Sequence, residues 1–485
     1  MSNGSKIDLS EIARLAMEER GLLTDFPSAV VMEIADIKGA AKPGINTQDM
    51  RELPWVSIDN DDSKDLDQIT FAEEAGNGEY RIYIAVADVD TLVKRDSAID
   101  RYAAHNTTSV YTPTRIFSML PLRLSTDFTS LNEHEERCAI ITEVKVGKDG
   151  AFDLANVYAG WVRNHAKLTY NGVTGWIERK IPLPNPITNT QEVIQQIELQ
   201  DAIAQKIKTY RIKQGALTFA SLEVRAVVTN GIPVNLEEKV ISRGDELIEN
   251  FMIAANVAVT QFLMRNHMPA IRRIVRVPKR WDRIVELANA LGTKLPEQPD
   301  AVALRDFLTF QQHSRPEHFG ELSLAIIKLI GRGEYVLSVP GGPKLGHFDL
   351  ALRDYSHTTA PNRRFPDLIT QRMVKSCLEK TKPAYRNDEL ALLAQRCTER
   401  EDDATKVERR VHKSAAAMIL EPKMGQRFEA LITGINENGT WIRLRTLPVE
   451  GKLVAGYQGM DVGDRLSVKL VHVDVRSGHI DFARL

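Results

Sequence analysis

The residues best suited to do chemistry are five aspartates that fall within nine residues, namely Asp59, Asp61, Asp62, Asp65 and Asp67. Carboxylates this close repel one another and raise each other's pKa unless a cation neutralises them. Hard divalent cations such as Mg²⁺ prefer oxygen ligands of this kind. The segment therefore predicts a Mg²⁺ site, or a Mn²⁺ site, and a solvated acidic turn is the alternative.

The acidic segment is less compatible with three competing kinds of structure. A purely solvated turn is disfavoured because apolar residues interleave the charges: Trp55, Val56, Ile58, Leu66, Ile69 and Phe71. An EF-hand loop counted from Asp59 would put Lys64 in place of the turn glycine and Thr70 in place of the bidentate glutamate. Transition metals lack support, since the sequence contains no H-E-x-x-H motif and no C-x-x-C pair.

A second chemically active segment holds the arginine pair Arg363 and Arg364, which follows Pro361 where a helix is predicted to begin. Arginines at a helix start can clamp phosphate oxygens beside free backbone N–H groups. The alternative is an ordinary ion pair, for example between Arg364 and Asp367. A further basic run covers residues 272–280. Metal-binding carboxylates and phosphate-binding arginines together indicate phosphodiester chemistry.

Composition limits the class of protein. The 485 residues are 43% hydrophobic and 26% charged with a net charge of −2, which excludes a disordered chain, a collagen and a disulfide scaffold. Cys138, Cys377 and Cys397 lie far apart, as in a reducing compartment. No secretory signal, membrane span or G-x-x-x-x-G-K-[ST] motif is visible. We therefore expect a cytoplasmic protein with no membrane association and no nucleotide cofactor.

The chain divides into three predicted units. Residues 1–50 form a small helical unit, opened by a capping box at Asp8 and Glu11, that suits either a helix-turn-helix or a plain helical cap. Residues 51–420 form a mixed body, and residues 421–485 predict a small closed barrel of short strands. Within the body, strands are predicted at 80–86 and 139–146, and helices at 300–313, 321–331, 366–380 and 387–420.

Taken in order, the motifs resemble those of the ribonuclease II / ribonuclease R exoribonucleases, whose catalytic domain is called RNB. The likeness covers about residues 50–485 and rests on residues 59–67, 119–132, 249–256, 346–348 and 355–367. The terminal segment resembles an S1-type RNA-binding barrel. The implied fold is α+β: an RNB catalytic domain with a mixed sheet and surrounding helices, a C-terminal OB-fold barrel and the small helical N-terminal unit.

The resemblance also implies an activity and assigns roles to residues. It implies a hydrolytic, Mg²⁺-dependent enzyme that degrades single-stranded RNA processively from the 3′ end to nucleoside 5′-monophosphates. Asp59, Asp65 and Asp67 match three of the family's four catalytic, metal-binding aspartates. Arg363 matches the arginine that stabilises charge on the scissile phosphate. We expect the protein to act as a monomer.

Further residues match positions that contact RNA. Stacking of bases on aromatic rings tolerates any sequence and contributes roughly 1–3 kcal/mol per base. The matches are Tyr111 and Phe219 for the two base-clamping aromatics, Tyr170 beside the terminal nucleotide, Glu249 near its sugar, Arg364 in the arginine pair and Glu408 on the last long helix. The alternatives are core aromatics for the rings and simple ion pairing for Glu249.

The sequence departs from the family pattern at several positions. Gln68 stands where the family has a second adjacent aspartate, so one metal contact would come from a neutral side chain. Ala360 and Asn362 replace the usual Ser and Ile, and Asp349 stands where Gly is usual. Gln68 motivates an alternative hypothesis, a catalytically weakened RNA-binding regulator on the same scaffold. A DNA-directed nuclease is a third hypothesis.

Overall fold

A computed structural model describes residues 8–181, 191–220, 224–343, 345–436 and 439–485, so residues 1–7 of the predicted N-terminal unit lie outside the described part. The described strands are β1 Gln48–Asp49, β2 Trp55–Asp59, β3 Gln68–Gly76, β4 Glu79–Ala87, β5 Val110–Tyr111, β6 Ile116–Phe117, β7 Glu136–Val146, β8 Phe152–Thr169, β9 Val224–Thr229, β10 Ile232–Glu238, β11 Ala270–Ile274, β12 Glu334–Ser338, β13 Arg427–Asn436, β14 Gly439–Leu444, β15 Glu450–Ala455, β16 Arg465–Asp474 and β17 His479–Arg484. The described helices are α1 Leu9–Glu19, α2 Ser28–Asp36, α3 Ala98–Asn106, α4 Tyr170–Ile177, α5 Gln191–Lys213, α6 Arg243–Arg265, α7 Trp281–Ala290, α8 Ala301–Ser314, α9 Pro316–Ile330, α10 Phe365–Leu378 and α11 Asn387–Leu420. The predicted helices at 300–313, 366–380 and 387–420 match α8, α10 and α11 to within two residues at each end.

A mixed sheet in the order β1-β8-β2-β3-β4-β7 carries the acidic segment. The long strand β8 pairs with β7 along its first part and, in parallel, with β2 along its last part. Strands β2, β3, β4, β7 and β8 therefore close into a ring. Because β2 and β3 pair antiparallel, the acidic residues occupy the connection at one end of this ring.

Helices cover the sheet and share its apolar core. Strand β4 is buried over its last six residues, since residues on both of its faces are covered. Helix α6 packs by its apolar side chains, including Leu247 and Phe251, into the same core. By length and composition α6 could also span a membrane, but 72% of its apolar stretch is buried inside the protein, as in a core helix. The predicted α+β fold with a mixed sheet and surrounding helices is confirmed.

The last residues form the closed barrel β13-β14-β15-β17-β16, which confirms the predicted OB-type barrel. Strand β15 is an addition, because the sequence pattern predicts four strands there, at 426–434, 439–444, 463–473 and 478–482, and β15 lies between the second and the third. Helix α1 does not stand apart: its residues Ile12 and Met17 belong to one apolar cluster with α11 and the barrel. Asp8 caps α1 by accepting from the Ser10 N–H, but the other half of the predicted capping box is absent, because Glu11 binds Arg14.

Candidate active site

The acidic connection between β2 and β3 is held in place from two sides. The Ser130 hydroxyl accepts from the Leu66 N–H at 2.9 Å and donates to the Lys64 carbonyl at 3.0 Å. From the neighbouring strand β8, Lys167 Nζ donates to the Ser63 carbonyl at 2.5 Å. These contacts fix the backbone on which Asp65 and Asp67 stand, so their carboxylates are presented by a shaped loop rather than by a free turn.

Asp67 is the most deeply buried of the five aspartates, with 2% of its surface exposed. Its Oδ1 accepts from the Asn362 backbone N–H at 2.9 Å, and its Oδ2 lies 3.5 Å from Arg363 Nε. Burial raises the pKa of Asp67 to about 7, with a further upward push from the charge of Asp65 and an opposing one from Arg363. The structure thus brings the acidic segment and the arginine turn into direct contact.

Asp65 and Asp59 lie beside this pair. The Tyr111 hydroxyl lies 3.4 Å from Asp65 Oδ2, and burial raises the pKa of Asp65, with the Asp59 charge acting in the same direction. Asp59 Oδ1 accepts from the Asn60 N–H at 2.7 Å and from the Ser63 hydroxyl at 2.9 Å. The three aspartates therefore act on one another electrostatically, as the sequence predicts.

Asp59, Asp65 and Asp67 match a hard divalent cation in donor type, and the pKa values of Asp65 and Asp67 are raised, chiefly by burial, which a bound cation would oppose. Within the described residues, however, no three His, Cys, Asp or Glu side chains lie close enough together to form a metal-binding group. Gln68 opens β3 with its backbone paired to Val86, and its role as a ligand stays a prediction. The residues fit the cation by chemistry, although they are not gathered into a three-ligand set.

The two remaining aspartates of the segment bind elsewhere. Asp61 Oδ2 accepts from Asn171 Nδ2 at 2.9 Å, and Asp62 Oδ2 accepts from Arg225 at 3.3 Å. Both aspartates are exposed. They therefore give no sign of replacing the missing family carboxylate at Gln68.

The two neighbouring arginines have different surroundings. The side chain of Arg363 is 44% exposed, and its contact with Asp67 is long, so the guanidinium is open to a ligand. Arg364 turns inward, where its Nη2 donates to Asp367 Oδ1 at 2.7 Å. The structure thus shows the ion pair that was the alternative for Arg364, and contact of this arginine with RNA stays a prediction.

The aromatic and acidic candidates lie at several distances from the aspartates. Tyr111 contacts Asp65, and its backbone N–H donates to Glu408 Oε1 at 2.9 Å, which joins two of the predicted residues directly. Tyr170 opens α4; burial raises its pKa, and the charges of Asp59 and Arg363 also act on it. Tyr111 and Tyr170 are thus brought to the acidic cluster, and Glu408 is joined to it through the backbone of Tyr111.

Two further predicted residues have contacts other than with the aspartates. Phe219 is half-buried and packs on the apolar cluster of α7, α8 and α9. Glu249 on α6 has 52% of its side chain exposed and lies 3.6 Å from Arg211, the ion pairing that was its alternative. Their roles in stacking and sugar contact stay predictions.

Several contacts that hold the site together could not be predicted from the sequence. The Asn362 N–H on Asp67, the Ser130 hydroxyl under the acidic loop and the Asp367 carboxylate under the arginine turn all lie inside the motifs that carry the family resemblance. Their roles involve backbone groups, which no side-chain pattern reveals. The presence of these residues within the motifs was the only available signal.

The surroundings of His357, near the arginine turn, predict that the stability of the folded protein depends on pH. His357 Nδ1 lies 2.8 Å from the Tyr335 hydroxyl, and loss of hydration, followed by the charges of Arg364 and Arg273, lowers its pKa well below the usual value. Unfolding therefore takes up a proton below about pH 6.5, so the folded state loses stability as the pH falls, by at most about 1.4 kcal/mol per pH unit.

This dependence can be measured by urea unfolding between pH 5 and 8. We expect the stability of the His357→Asn variant to fall less steeply with acidification than that of the wild type. A His134→Asn variant, which changes an exposed histidine, should keep the wild-type slope. Equal slopes in wild type and His357→Asn would contradict the prediction.

Comparison with known proteins identifies two family models along the chain. The family model described as RNB domain matches residues 47–380, and the model described as RNase II-type exonuclease C-terminal S1 domain matches residues 426–485. Ribonuclease R of Vibrio parahaemolyticus is 27% identical over 97% of this chain and 60% of its own length. The chain thus spans about 60% of the length of this curated relative.

Solved structures share the fold. Mycoplasma genitalium RNase R in complex with ribose-methylated single-stranded RNA superposes with a TM-score of 0.89 at 22% identity, covering 99% of this chain and 78% of that one. Yeast Ssd1, described as a pseudonuclease, superposes with a TM-score of 0.67 at 16% identity, covering 84% of this chain and 50% of that one. At these identities the similarity establishes the fold alone.

Proposed function

Because the chain belongs to the RNB domain family, whose model matches more than half of it, we propose that it is a hydrolytic 3′→5′ exoribonuclease. Its proposed substrate is single-stranded RNA, degraded processively to nucleoside 5′-monophosphates with Mg²⁺ as cofactor. The observation that carries the proposal is the contact of buried Asp67 with the arginine turn, through the Asn362 N–H and Arg363. That contact joins the proposed metal-binding carboxylate to the proposed phosphate-binding cation.

The side chains divide the chemistry between them. A divalent cation held by Asp59, Asp65 and Asp67 would supply an activated water and stabilise the leaving oxygen. The half-exposed Arg363 guanidinium is free to bind the scissile phosphate and offset its developing charge. The Asn362 N–H orients Asp67 by fixing one of its two oxygens. The RNB family in general depends on a divalent metal, and Mg²⁺ is our proposal for the ion.

The remaining parts of the proposal concern the residues that would bind RNA, the oligomeric state and the cellular location. Tyr111 and Phe219 would stack on bases, Tyr170 would lie beside the terminal nucleotide, and Glu249 would read its 2′-hydroxyl. We further propose a monomer that acts in the cytoplasm without a nucleotide cofactor. The three cysteines are unpaired in the structure, which suits a reducing compartment.

A direct test follows RNA with a 5′ label and either a free or a blocked 3′ end in the presence of Mg²⁺. The proposal expects loss of full-length RNA with a free 3′ end, a short end product, few intermediates, and protection by the 3′ block. An all-deoxy strand of the same sequence should persist. Equal degradation of blocked and free RNA, or of DNA, would contradict the proposal.

A second candidate function is the catalytically weakened RNA-binding regulator. It is favoured by Gln68, which removes a family carboxylate, and the fold is compatible with it, since yeast Ssd1 is described as a pseudonuclease. Such a protein would bind single-stranded RNA without shortening it. The labelled-RNA assay combined with a binding measurement separates the two functions.

The variant Gln68→Asp tests how far the glutamine in place of the family aspartate affects Mg²⁺ binding and activity. If Gln68 lies among the metal ligands, adding a carboxylate should lower the Mg²⁺ concentration for half-maximal activity, by roughly tenfold, because ligand charge tunes the affinity of oxygen-ligand sites. Asn60→Asp is the matched control, as it adds the same charge at an exposed position of the same loop. An equal shift in both variants, or an unchanged Mg²⁺ dependence of Gln68→Asp, would argue against Gln68 as a ligand, whereas RNA binding without cleavage by the wild type would favour the regulator.

A further inference from the structure

The turn of residues 360–364 presents both groups that meet Asp67, the Asn362 N–H and the Arg363 guanidinium. Its shape therefore decides how the acidic segment and the phosphate-binding arginine face each other. Thr129 fixes part of the turn, because its hydroxyl donates to the Asn362 side-chain oxygen at 2.6 Å. The turn is thus built by the surrounding protein rather than by its own sequence alone.

Asp367, in the first turn of α10, holds both ends of this turn. Its side chain is fully buried, at 0% exposure. A single oxygen, Oδ1, accepts from the Ala360 N–H at 2.8 Å and from Arg364 Nη2 at 2.7 Å. One carboxylate oxygen therefore spans the segment that contains Asn362 and Arg363.

The outer side of the turn rests on residues 107–109. The Arg363 carbonyl accepts from the Ser109 N–H at 2.9 Å, and the Thr107 carbonyl accepts from the Phe365 N–H at 2.8 Å. Thr107 itself has a φ of 59°, a left-handed backbone that a β-branched residue rarely adopts. Strain of this kind persists where the surrounding structure imposes it, often at functional sites.

The ion pair of Arg364 and Asp367 is not arranged for maximal stability. Among the described residues, Asp367 Oδ2 and Arg364 Nε are buried side-chain atoms without a hydrogen-bond partner. Unsatisfied buried polar atoms cost free energy, and a buried ion pair is weak evidence for stabilisation. The pair is instead arranged to hold the turn, since the oxygen that binds Arg364, Oδ1 of Asp367, is also the one that accepts from the Ala360 N–H.

We propose that Asp367 is a positioning residue, which sets the Arg363 guanidinium and the Asn362 N–H against Asp67 by bracketing the turn. The inference rests on the proposed function and names a further residue on which that function depends. Asp367 does not touch the reacting atoms; it acts through the Ala360 N–H and Arg364. Without the contacts of Asp367 with the Ala360 N–H and Arg364, the turn is no longer held at its two ends. A displacement of about 1 Å at a reacting group can lower the rate roughly 10²-fold.

The chain offers a matched control on the same helix. Arg372 of α10 donates to Asp100 at 2.8 Å, and these two residues are 3% and 5% exposed. Asp100 is thus a buried aspartate paired with an arginine, like Asp367, although Arg372 is more buried than Arg364, whose side chain is 20% exposed. Within the described part of the chain, no hydrogen bond joins Asp100 to the turn of residues 360–364. A merely structural role for Asp367 would make the two aspartates equivalent in their effects.

The test compares Asp367→Ala, Asp367→Asn and Asp100→Ala in single-turnover cleavage of single-stranded RNA, in RNA binding measured in EDTA, and in thermal unfolding. We expect Asp367→Ala to cleave roughly 10²-fold more slowly, with its affinity for RNA within about twofold of wild type. Asp367→Asn should recover most of the rate, since its amide oxygen can still accept from the Ala360 N–H. Asp100→Ala should lower the melting temperature with an unchanged rate.

If Asp367→Ala does not fold, two double variants keep the test open. Arg364→Met combined with Asp367→Ala, and Arg364→Met combined with Asp367→Asn, both lack the buried charges and differ only in the acceptor for Ala360. The second should cleave faster than the first. Equal rates in the double variants, wild-type cleavage by Asp367→Ala, or an equal rate loss in Asp100→Ala would overturn the inference alone. A wild-type protein that cleaves no RNA would overturn the proposed function as well.

Discussion

Replacing Asp67 by Asn should lower the rate of RNA cleavage by roughly 10³-fold, a loss of about 4 kcal/mol of transition-state stabilisation. The amide keeps the size of the side chain, and its oxygen can still accept from the Asn362 N–H, which in the wild type donates to Asp67 Oδ1 at 2.9 Å. It removes the charge that a divalent cation and Arg363 both require. The measurement is the single-turnover rate on 5′-labelled single-stranded RNA in Mg²⁺.

Stability should move in the opposite direction from activity. Burial raises the pKa of Asp67 to about 7, so the charged form is disfavoured in the folded protein without a cation. A neutral amide removes this penalty, and we expect Asp67→Asn to melt no lower than wild type at pH 8 in EDTA. Active sites commonly sacrifice stability in this way.

Asp62→Asn is the control for this prediction. Asp62 belongs to the same acidic segment, but its carboxylate is exposed and binds Arg225 at 3.3 Å. Loss of the Asp62 charge should leave the cleavage rate within about twofold of wild type, because exposed ion pairs contribute little free energy. If Asp62→Asn and Asp67→Asn cleaved equally well, the central role of Asp67 would be wrong.

The second large effect is expected at Arg363. Its replacement by Gln should lower the single-turnover rate by roughly 10²–10³-fold, because a cation aimed at developing charge in a phosphoryl-transfer site contributes on that scale. Arg363→Lys should fall between wild type and Gln, since it keeps the charge but loses the planar fork. RNA affinity measured in EDTA should change much less than the rate.

Arg225→Gln serves as the control for the arginine. Arg225 is 70% exposed and lies beside the acidic segment through Asp62, so it adds positive charge in the same region without contacting Asp67. We expect its cleavage rate to stay near wild type. A rate loss in Arg225→Gln as large as in Arg363→Gln would indicate a general electrostatic effect rather than a specific contact.

Much of the fold could be predicted because hydrophobic period and length point to the same elements. Helices α8, α10 and α11 follow clear apolar periodicity. The hairpin of β9 and β10 was missed although Asn230-Gly231, with φ angles of 51° and 76°, is a typical hairpin turn. Strand β15 is short and is defined by its pairing with β14 and β17, which local sequence does not reveal.

The candidate site was predictable in its side chains but not in its supports. The acidic cluster and Arg363 were found from residue type, and the structure joins them through Asp67. Their separation by almost 300 residues gave no hint that a backbone N–H of residue 362 would make the closest contact, at 2.9 Å. For Phe219 the side chain was predicted but its surroundings were not. Its packing against α7–α9 depends on tertiary structure, which the local sequence does not reveal.

The central claim is hydrolysis from the 3′ end at the Asp67 site. The most direct measurement is mass spectrometry of the products released with time from a single-stranded RNA with a distinct nucleotide at each end, in Mg²⁺ and ¹⁸O-labelled water. We predict that the 5′-monophosphate of the 3′-terminal nucleotide appears first and carries ¹⁸O, and that Asp67→Asn releases almost none. Release of the 5′-terminal nucleotide first, internal fragments, or products without ¹⁸O would contradict the account.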